Sequence, residues 1–371
     1  MQKLNFLEAL RGYAILGVVF THVAQKIPEL DGWLYNFGIQ GARGVQLFFI
    51  VSAFTLFYTL HRKYENSDRI NLVEFYSRRF FRIAPMFYTA FIVYAVFEIL
   101  TFKLGLKSVL SDYSISMILS TLSFTSVLNP EWLFSLVPGG WSISVEVLFY
   151  LLIPILFRVI RNFKVSLIIT IFVSVLCWLL NVAVVQLQLI DTKYIDVKYL
   201  FYWFPNQLPI FLIGITFFYF WRDYKIKFNN NILLVASLLL ILLLSVTGHI
   251  YNPMFPKHII FGVAFALFAL SLSKLDKSFF NHKLMVFLGK VSFSVYLVHF
   301  MILDIVNELL MKRLIEFIPT MVVLFVVFAI TLGLSIIIAH VSYKMIEEPG
   351  IKLGRILTTN RSIAVKNSKT G

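Results

Sequence analysis

The feature that most constrains this chain is the recurrence of apolar segments long enough to cross a bilayer. A spanning helix needs about 20 predominantly apolar residues. Hydrophobic residues make up 59% of the 371 residues and charged residues only 14%, whereas soluble domains carry about 25% charged residues. This composition predicts an all-α polytopic membrane protein and excludes a soluble enzyme with a membrane anchor. It also argues against a disordered chain and a nucleic-acid binder. Candidate spans lie at 8–25, 41–60, 83–101, 113–128, 139–157, 165–185, 199–221, 231–247, 257–273, 286–308 and 320–343.

The distribution of Lys and Arg indicates which of these eleven segments does not cross. The segment at 113–128 is short and rich in Ser and Thr, and we expect it to be re-entrant or peripheral. With ten spans left, 24 of the 33 Lys and Arg residues fall on the side of the two termini and nine on the other. Basic residues accumulate in cytoplasmic loops. The sequence therefore predicts about ten transmembrane helices with both termini cytoplasmic.

The ends of the chain and its cysteine add three smaller expectations. The first apolar run has no small-residue cleavage pattern after it, so it is expected to remain as the first span. The residues from Leu357 onward are polar and show no periodicity, which predicts a disordered cytoplasmic tail over 357–371. Cys177 is the single cysteine. It excludes an intramolecular disulfide, and no metal is expected.

Arg11 and His22 are a candidate pair within the first span. Eleven residues of helix turn through about three turns, so both side chains share a face, about 16 Å apart along the axis. Histidine is suited to general-base chemistry near neutral pH. The alternative is an arginine that extends to the interface and a histidine that bonds a neighbouring helix.

A second candidate group opens the span that starts near residue 139. Trp141, Ser142, Ser144 and Glu146 form the pattern W-S-I-S-V-E, in which Ser142 and Glu146 share a helix face. A carboxylate inside a span needs a partner, and His22 is the predicted one. The alternative is an N-cap in which Ser142 caps the helix and Glu146 complements its dipole.

Three further segments carry polar residues that deserve an explanation. Arg78, Arg79 and Arg82 lie at helical spacing in the run 75–85 and could hold phosphates or simply contact anionic lipid and set topology. Tyr296 and His299 share a face in 292–299, where an interhelical hydrogen-bonded pair is the alternative. The segment 41–54 carries two glycines, explained by close helix packing, and the polar residues Gln46 and Ser52.

Taken together, these patterns resemble the acyltransferase-3 family of integral membrane acyltransferases. The shared motifs are Arg followed by ten residues and His, G-x-x-G-V-x-x-F-F-x-x-S-G-F, F-x-x-R-R-x-x-R-I-x-P, W-S-x-S-x-E-x-x-F-Y, S-x-S-x-Y-L-x-H and I-E-x-P. One departure is Ala53, which stands where the family usually has glycine. The motifs occur in order at 11–22, 41–54, 75–85, 141–150, 292–299 and 346–349.

The resemblance implies a transmembrane acyltransferase domain over 1–356 that takes an acyl group, usually acetyl, from cytoplasmic acyl-CoA. Bacterial members acylate cell-envelope glycans such as lipopolysaccharide O-antigen, peptidoglycan and exopolysaccharides. A bacterial inner-membrane location follows from the same resemblance. Many members carry a fused extracytoplasmic domain that completes transfer, so this chain would transfer directly or use a separate partner.

The resulting hypothesis assigns a role to each candidate residue. His22 would deprotonate the acceptor hydroxyl or carry the acyl group transiently, and Glu146 would orient it. Arg11 would bind the donor at the cytoplasmic mouth. The cavity would be lined by residues of the other motifs, namely Ser52, Trp141, Ser142, Ser144, Tyr296 and His299. The coenzyme phosphates would be held by Arg78, Arg79 and Arg82. The alternative function is a transporter or flippase of a lipid-linked sugar without acyl chemistry, for which inverted repeats are expected but not found in the sequence.

Overall fold

The chain folds into a bundle of long helices. The structure is a computed structural model that describes residues 4–28, 30–67, 71–105, 111, 113–196, 198–225, 229–246, 256–275 and 279–367, and these residues contain no strand. The first half comprises α1 (Asn5–Lys26), α2 (Gly32–Ile39), α3 (Gly44–Ser67), α4 (Leu72–Lys103), α5 (Ile115–Leu122), α6 (Gly140–Val159), α7 (Phe163–Gln186) and α8 (Thr192–Asp196). The second half comprises α9 (Tyr199–Tyr202), α10 (Phe204–Asp223), α11 (Asn230–Val246), α12 (Lys257–Ser273), α13 (Lys283–Val306), α14 (Lys312–Leu314), α15 (Thr320–Ser342) and α16 (Glu348–Asn367).

The helices agree with the predicted all-α membrane architecture. Within the described ranges, eight helical segments are long and apolar enough to cross a membrane, and α11 and α12 are shorter apolar helices. The total of ten spans and the side of the termini stay predictions. Both α11 and α12 have 17 residues, which gives a length of about 25 Å against a hydrocarbon core of about 30 Å.

The segment at 113–128 does not cross, as its composition indicated. Its helix α5 has only eight residues, about 12 Å of rise. Beyond α5 the chain turns at Phe124, whose φ of 59° is in the left-handed region. It then enters the bundle, where Ser126 Oγ lies 2.9 Å from Ser144 Oγ of α6.

Helix α4 and helix α16 differ from the sequence expectation. A span beginning at residue 83 was expected, but α4 is one continuous helix of 32 residues that begins at Leu72 and has Pro85 inside it. Thr89 Oγ1 donates to the Pro85 carbonyl at 2.8 Å. The tail from Leu357 was expected to be irregular, yet α16 continues to Asn367.

The core of the bundle is the contact of α1 with α13 and α3. At the α1–α3 crossing, a Cβ added to Gly41 or Gly44 would overlap the backbone carbonyls of Gly17 and Ala14. The absence of a side chain therefore allows the two backbones to touch, as predicted for these glycines. Ala53, the departure from the motif, is fully buried against Gly214 of α10, so the small residue at this contact is supplied by the partner helix.

Candidate active site

A cavity of about 760 Å³ lies between α1, α3, α4, α6 and α13. It is near the end of the bundle where α3 ends and α4 begins. Seven residues predicted from five separate motifs meet on its wall. Its lining consists of Arg11, Val45, Phe48, Phe49, Ser52, Thr55, Arg79, Arg82, Ile83, Ser142, Ile143, Glu146, Tyr150, Ser292, Phe293 and Tyr296.

The carboxylate of Glu146 is the centre of the hydrogen bonding in this cavity. Ser52 Oγ donates to Glu146 Oε1 at 2.5 Å, and Tyr150 Oη donates to the same oxygen at 2.6 Å. Short hydroxyl–carboxylate bonds are typical of charge-assisted pairs. Arg79 and Arg82 both interact electrostatically with the carboxylate. Glu146 therefore lies among hydrogen-bond donors and cations.

The cavity carries an excess of positive charge, because three arginines and one glutamate line it. Arg11 is anchored by Glu8 at 3.1 Å and by Thr55 Oγ1 at 3.3 Å. The guanidinium of Arg79 lies 6.0 Å from the centre of the Tyr150 ring. Its buried Nε has no hydrogen-bond partner among the described residues. Such a set of donors suits an anionic ligand such as a phosphate.

Arg78 does not belong to this cavity, although it stands next to Arg79 in the sequence. Its guanidinium pairs with Glu74 at 2.7 Å, and its Nε donates to Thr358 Oγ1 of α16 at 3.2 Å. It therefore connects α4 to α16. Arg82 shares a helix face with both neighbours by spacing, so the sequence could not indicate which of the two faces the cavity.

Ser142 and Tyr296 close the cavity at its far end. Their hydroxyl oxygens lie 2.9 Å apart, and each hydroxyl donates to the Gly139 carbonyl at 3.0 Å. Gly139, with φ of 76°, is itself the N-cap residue of α6. The alternative in which Ser142 caps the helix is therefore wrong, because its hydroxyl bonds a carbonyl and Tyr296.

Two other predicted cavity residues of α6 lie behind the wall. The hydroxyl of Ser144 faces Ser126 of the re-entrant segment. The ring of Trp141 packs edge-on against Tyr202, with ring centres 4.8 Å apart. Both residues support the helix that carries Glu146 and do not line the cavity.

The two predicted histidines form a separate pair beyond Tyr296. The ring centres of His22 and His299 are 5.4 Å apart, and those of His299 and Tyr296 are 5.8 Å apart. His22 Nδ1 donates to the amide oxygen of Gln25 at 3.1 Å, and His299 Nδ1 donates to the Tyr296 carbonyl at 2.7 Å. The buried Nε2 of His299 has no partner in the described part of the chain. Three rings thus follow one another from the cavity wall to His22.

The expected contact between His22 and Glu146 is not formed, and this is a correction to the sequence prediction. The partners of Glu146 are Ser52 and Tyr150, whereas His22 is bonded to Gln25. The reason is distance along α1. Arg11 lines the cavity, and His22 lies about 16 Å further along the helix axis.

Sequence reasoning did not single out Tyr150 and Thr55 as site residues. Tyr150 follows Glu146 by four residues, and Thr55 follows Ser52 by three, so both fall on the same helix faces as predicted residues. Helical spacing was the signal that could have identified them. Glu8 and Glu347, which face the arginines electrostatically, were also missed.

Comparison with known proteins identifies the class of protein to which this chain belongs. The family described as "Acyltransferase domain" matches residues 4–340, so the chain belongs to this acyltransferase family. The chain is similar to the O-acetyltransferase OatA of Staphylococcus aureus (strain NCTC 8325 / PS 47), with 26% identity over 379 residues, covering 94% of this chain and 57% of OatA. It is also similar to a putative O-acetyltransferase of Staphylococcus aureus (strain COL), with 25% identity, covering 95% of this chain and 58% of the relative.

The chain therefore spans a little over half of the length of the curated relatives it matches. No solved structure matches it.

Proposed function

We propose that the protein is a membrane O-acetyltransferase that moves an acetyl group from cytoplasmic acetyl-CoA to a hydroxyl of a cell-envelope glycan. The observation that carries the proposal is the convergence of Arg11, Arg79, Arg82 and Glu146 in one cavity of an acyltransferase-family bundle. The similarity to proteins named O-acetyltransferases supports acetyl as the group transferred.

The cavity fits the donor by charge. Coenzyme A is a polyanion with a thin thiol-bearing arm. Arg79 and Arg82 would hold its phosphates, since both residues line the cavity. Arg79 Nε has no hydrogen-bond partner among the described residues, so it could bind a phosphate without breaking an existing hydrogen bond. Arg11 would hold the donor nearer the thioester, while Arg78 acts through α16. The arm would pass Glu146 and continue past Tyr296 toward His22.

The proposed reaction joins the acceptor hydroxyl oxygen to the acetyl carbonyl carbon and breaks the carbon–sulfur bond. The hydroxyl proton goes to Nε2 of His22, which is the acceptor nitrogen because Nδ1 donates to Gln25. The coenzyme thiolate leaves and takes up that proton. Glu146 fixes the arginines on the donor side of Tyr296, and the thioester end of the arm would extend past Tyr296 and His299 to the acceptor hydroxyl beside His22.

The sidedness of the charges supports a cytoplasmic donor site. The cavity is at the end of the bundle bearing the basic α3–α4 connection, which the Lys and Arg distribution assigns to the cytoplasm. Both termini and the 357–371 tail would lie on that side, in the cytoplasmic membrane of a bacterium. The glycan would approach from the other side, directly or through a separate extracytoplasmic partner.

The test is acetyl transfer by the purified protein in lipid, with radiolabelled acetyl-CoA as donor and peptidoglycan strands or O-antigen polysaccharide as acceptors. We expect acceptor-dependent release of coenzyme A by the wild type and a loss of at least about 100-fold in His22→Ala, the lower end of the range for general acid–base catalysis. His340→Ala, outside the cavity, is the control. Wild-type turnover by His22→Ala would remove His22 from the mechanism, and movement of a lipid-linked sugar without thioester cleavage would favour the transporter.

A further inference from the structure

One buried carboxylate next to the cavity has no role in the proposed reaction. Glu347 is 3% exposed and ends a π-helical turn, Tyr343–Glu347, that joins α15 to α16. π-Helical turns are rare in proteins, and many of those that occur lie at functional sites. The following residue, Glu348, is by contrast partly exposed and pairs with Lys352 at 3.0 Å. The two adjacent glutamates therefore differ in burial and in partner.

The side chain of Glu347 is fixed by α13. Ser294 Oγ, which is fully buried, donates to Glu347 Oε2 at 2.8 Å. Ser292 and Tyr296, two residues to either side of Ser294, both line the cavity. The motif S-x-S-x-Y thus alternates between the cavity wall and the carboxylate behind it.

The carboxyl group of Glu347 interacts electrostatically with the arginines of the cavity. Its favourable electrostatic partners are Arg82 and Arg11, and Glu8 opposes it. Arg82 in turn interacts with Glu347, Glu8 and Glu146. A buried carboxylate is costly unless cations compensate it, and removing one member of such a group leaves the other charge uncompensated.

The packing of α16 against α4 sets the position of Glu347 relative to Arg82. A Cβ on Gly350 would lie 2.8 Å from the Phe81 carbonyl, and a Cβ on Gly354 would lie 2.8 Å from Phe81 Cβ. The close approach of the two helices places the start of α16 behind the arginine-bearing turn of α4. Arg78 fastens the same pair of helices further along, through Thr358.

We infer that Glu347 is a positioning residue that holds the Arg82 guanidinium toward the phosphates of the acyl donor. It does not line the cavity and touches no reacting atom. The Glu347 carboxylate lies behind the cavity wall and attracts the Arg82 guanidinium. This attraction competes with that of Glu146, so Arg82 is not drawn entirely to the Glu146 carboxylate. The inference rests on the proposed function, because it assigns the donor phosphates to Arg82.

The experiment compares two donors in the purified full-length protein in lipid. Acetyl-CoA carries the phosphates, whereas acetyl-pantetheine has the same thioester without them. Glu347→Gln removes the charge but keeps an oxygen that accepts from Ser294. We expect the KM for acetyl-CoA to rise about tenfold, with kcat within about twofold and the KM for acetyl-pantetheine unchanged, because a lost buried charge contact weakens binding by this order. The matched control Glu348→Gln leaves all three constants unchanged.

The outcomes separate the inference from the function it rests on. If the wild type releases no coenzyme A from acetyl-CoA with any acceptor, the proposed function fails. If the wild type is active and Glu347→Gln has the wild-type KM, or changes the KM of both donors equally, Glu347 has only a structural role and the inference is wrong. Should Glu347→Gln not fold, Glu347→Asp replaces it. That variant keeps the negative charge on a side chain that is one methylene shorter. We expect its KM for acetyl-CoA to rise about threefold, with the KM for acetyl-pantetheine unchanged.

Discussion

Two regions of this protein bury arginine inside the bundle, and they treat it differently. Arg43 is 1% exposed and its guanidinium carbon lies 5.2 Å from the ring centres of both Phe201 and Phe261. Its nitrogens lie 3.4 Å from the amide oxygens of Gln40 and Gln46. Arg79 and Arg82 instead face a cavity and a carboxylate. Burial of a cation therefore does not by itself mark a functional site, and the arginines of the cavity differ from Arg43 in having open space beside them.

The surroundings of Arg43 explain why it needs no cavity. Gln46 also donates to Gln207 at 3.4 Å, and Gln207 donates to the Phe201 carbonyl. These contacts link α3 to the α9–α10 region through neutral groups. We define the Arg43 cluster as Arg43, Gln40, Gln46, Gln207, Phe201 and Phe261. We interpret this cluster as a structural contact between helices, and we interpret the cavity as the site where arginine binds a ligand.

Among substitutions that test this comparison, we expect the largest loss of acetyl transfer at Glu146. Glu146→Gln keeps the size of the side chain but removes the negative charge that receives Ser52 and Tyr150 and faces the arginines. We expect acetyl transfer to fall by about 100- to 1,000-fold, as for loss of a preorganised electrostatic group. The thermal midpoint should change little. The measurement is turnover of acetyl-CoA per folded molecule, and wild-type turnover would exclude Glu146 from the chemistry.

The next effect concerns stability at Arg43. Arg43→Gln removes two ring contacts, each worth about 0.5–2 kcal/mol, and leaves amide oxygens to find new donors. We expect the variant to unfold at lower temperature in detergent while its turnover per folded molecule stays within about twofold, the range of error of single-interaction estimates. A stable variant with a strongly reduced kcat would place the Arg43 cluster in the active site and break the comparison.

The last prediction is a difference in the KM for acetyl-CoA between substitutions of the adjacent residues Arg79 and Arg78. Arg79→Gln should raise the KM for acetyl-CoA by about 10- to 100-fold, because a charge-assisted phosphate contact contributes about 1.5–3 kcal/mol. Arg78→Gln, which loses contacts with Glu74 and Thr358 on the far side of α4, is the matched control and should change KM by less than about threefold. Equal effects of the two substitutions would mean that the arginine run acts as a general basic surface.

The sequence predicted the helices and most of the polar residues that line the cavity, for identifiable reasons. Apolar length gives the spans, and helical spacing places Arg11, Ser52, Arg82, Glu146 and Tyr296 on faces that turn inward. Spacing does not give the angle at which a helix meets its neighbours. The choice of Arg79 over Arg78 depends on how α16 lies on α4. The separation of His22 from Glu146 depends on where along α1 the cavity ends.

The local geometry of α6 shows the same limit. Ser142, Ser144 and Trp141 were all predicted to line the cavity, and only Ser142 does. Ser144 is turned to Ser126 because the re-entrant segment enters the bundle there. That insertion depends on tertiary contacts far from α6 in sequence, so no pattern within the motif reports it.

The most direct test of the central claim asks whether acetyl-CoA occupies this cavity. In a Cys177→Ser background, a cysteine at Ser292 on the cavity wall is labelled with a thiol reagent, and a cysteine at Ser273 at the end of α12 is the control. The account predicts that saturating acetyl-CoA slows labelling of Ser292→Cys by at least about fivefold, as a bound ligand excludes the reagent, without affecting Ser273→Cys. Labelling of Ser292→Cys at the same rate with and without acetyl-CoA would contradict it.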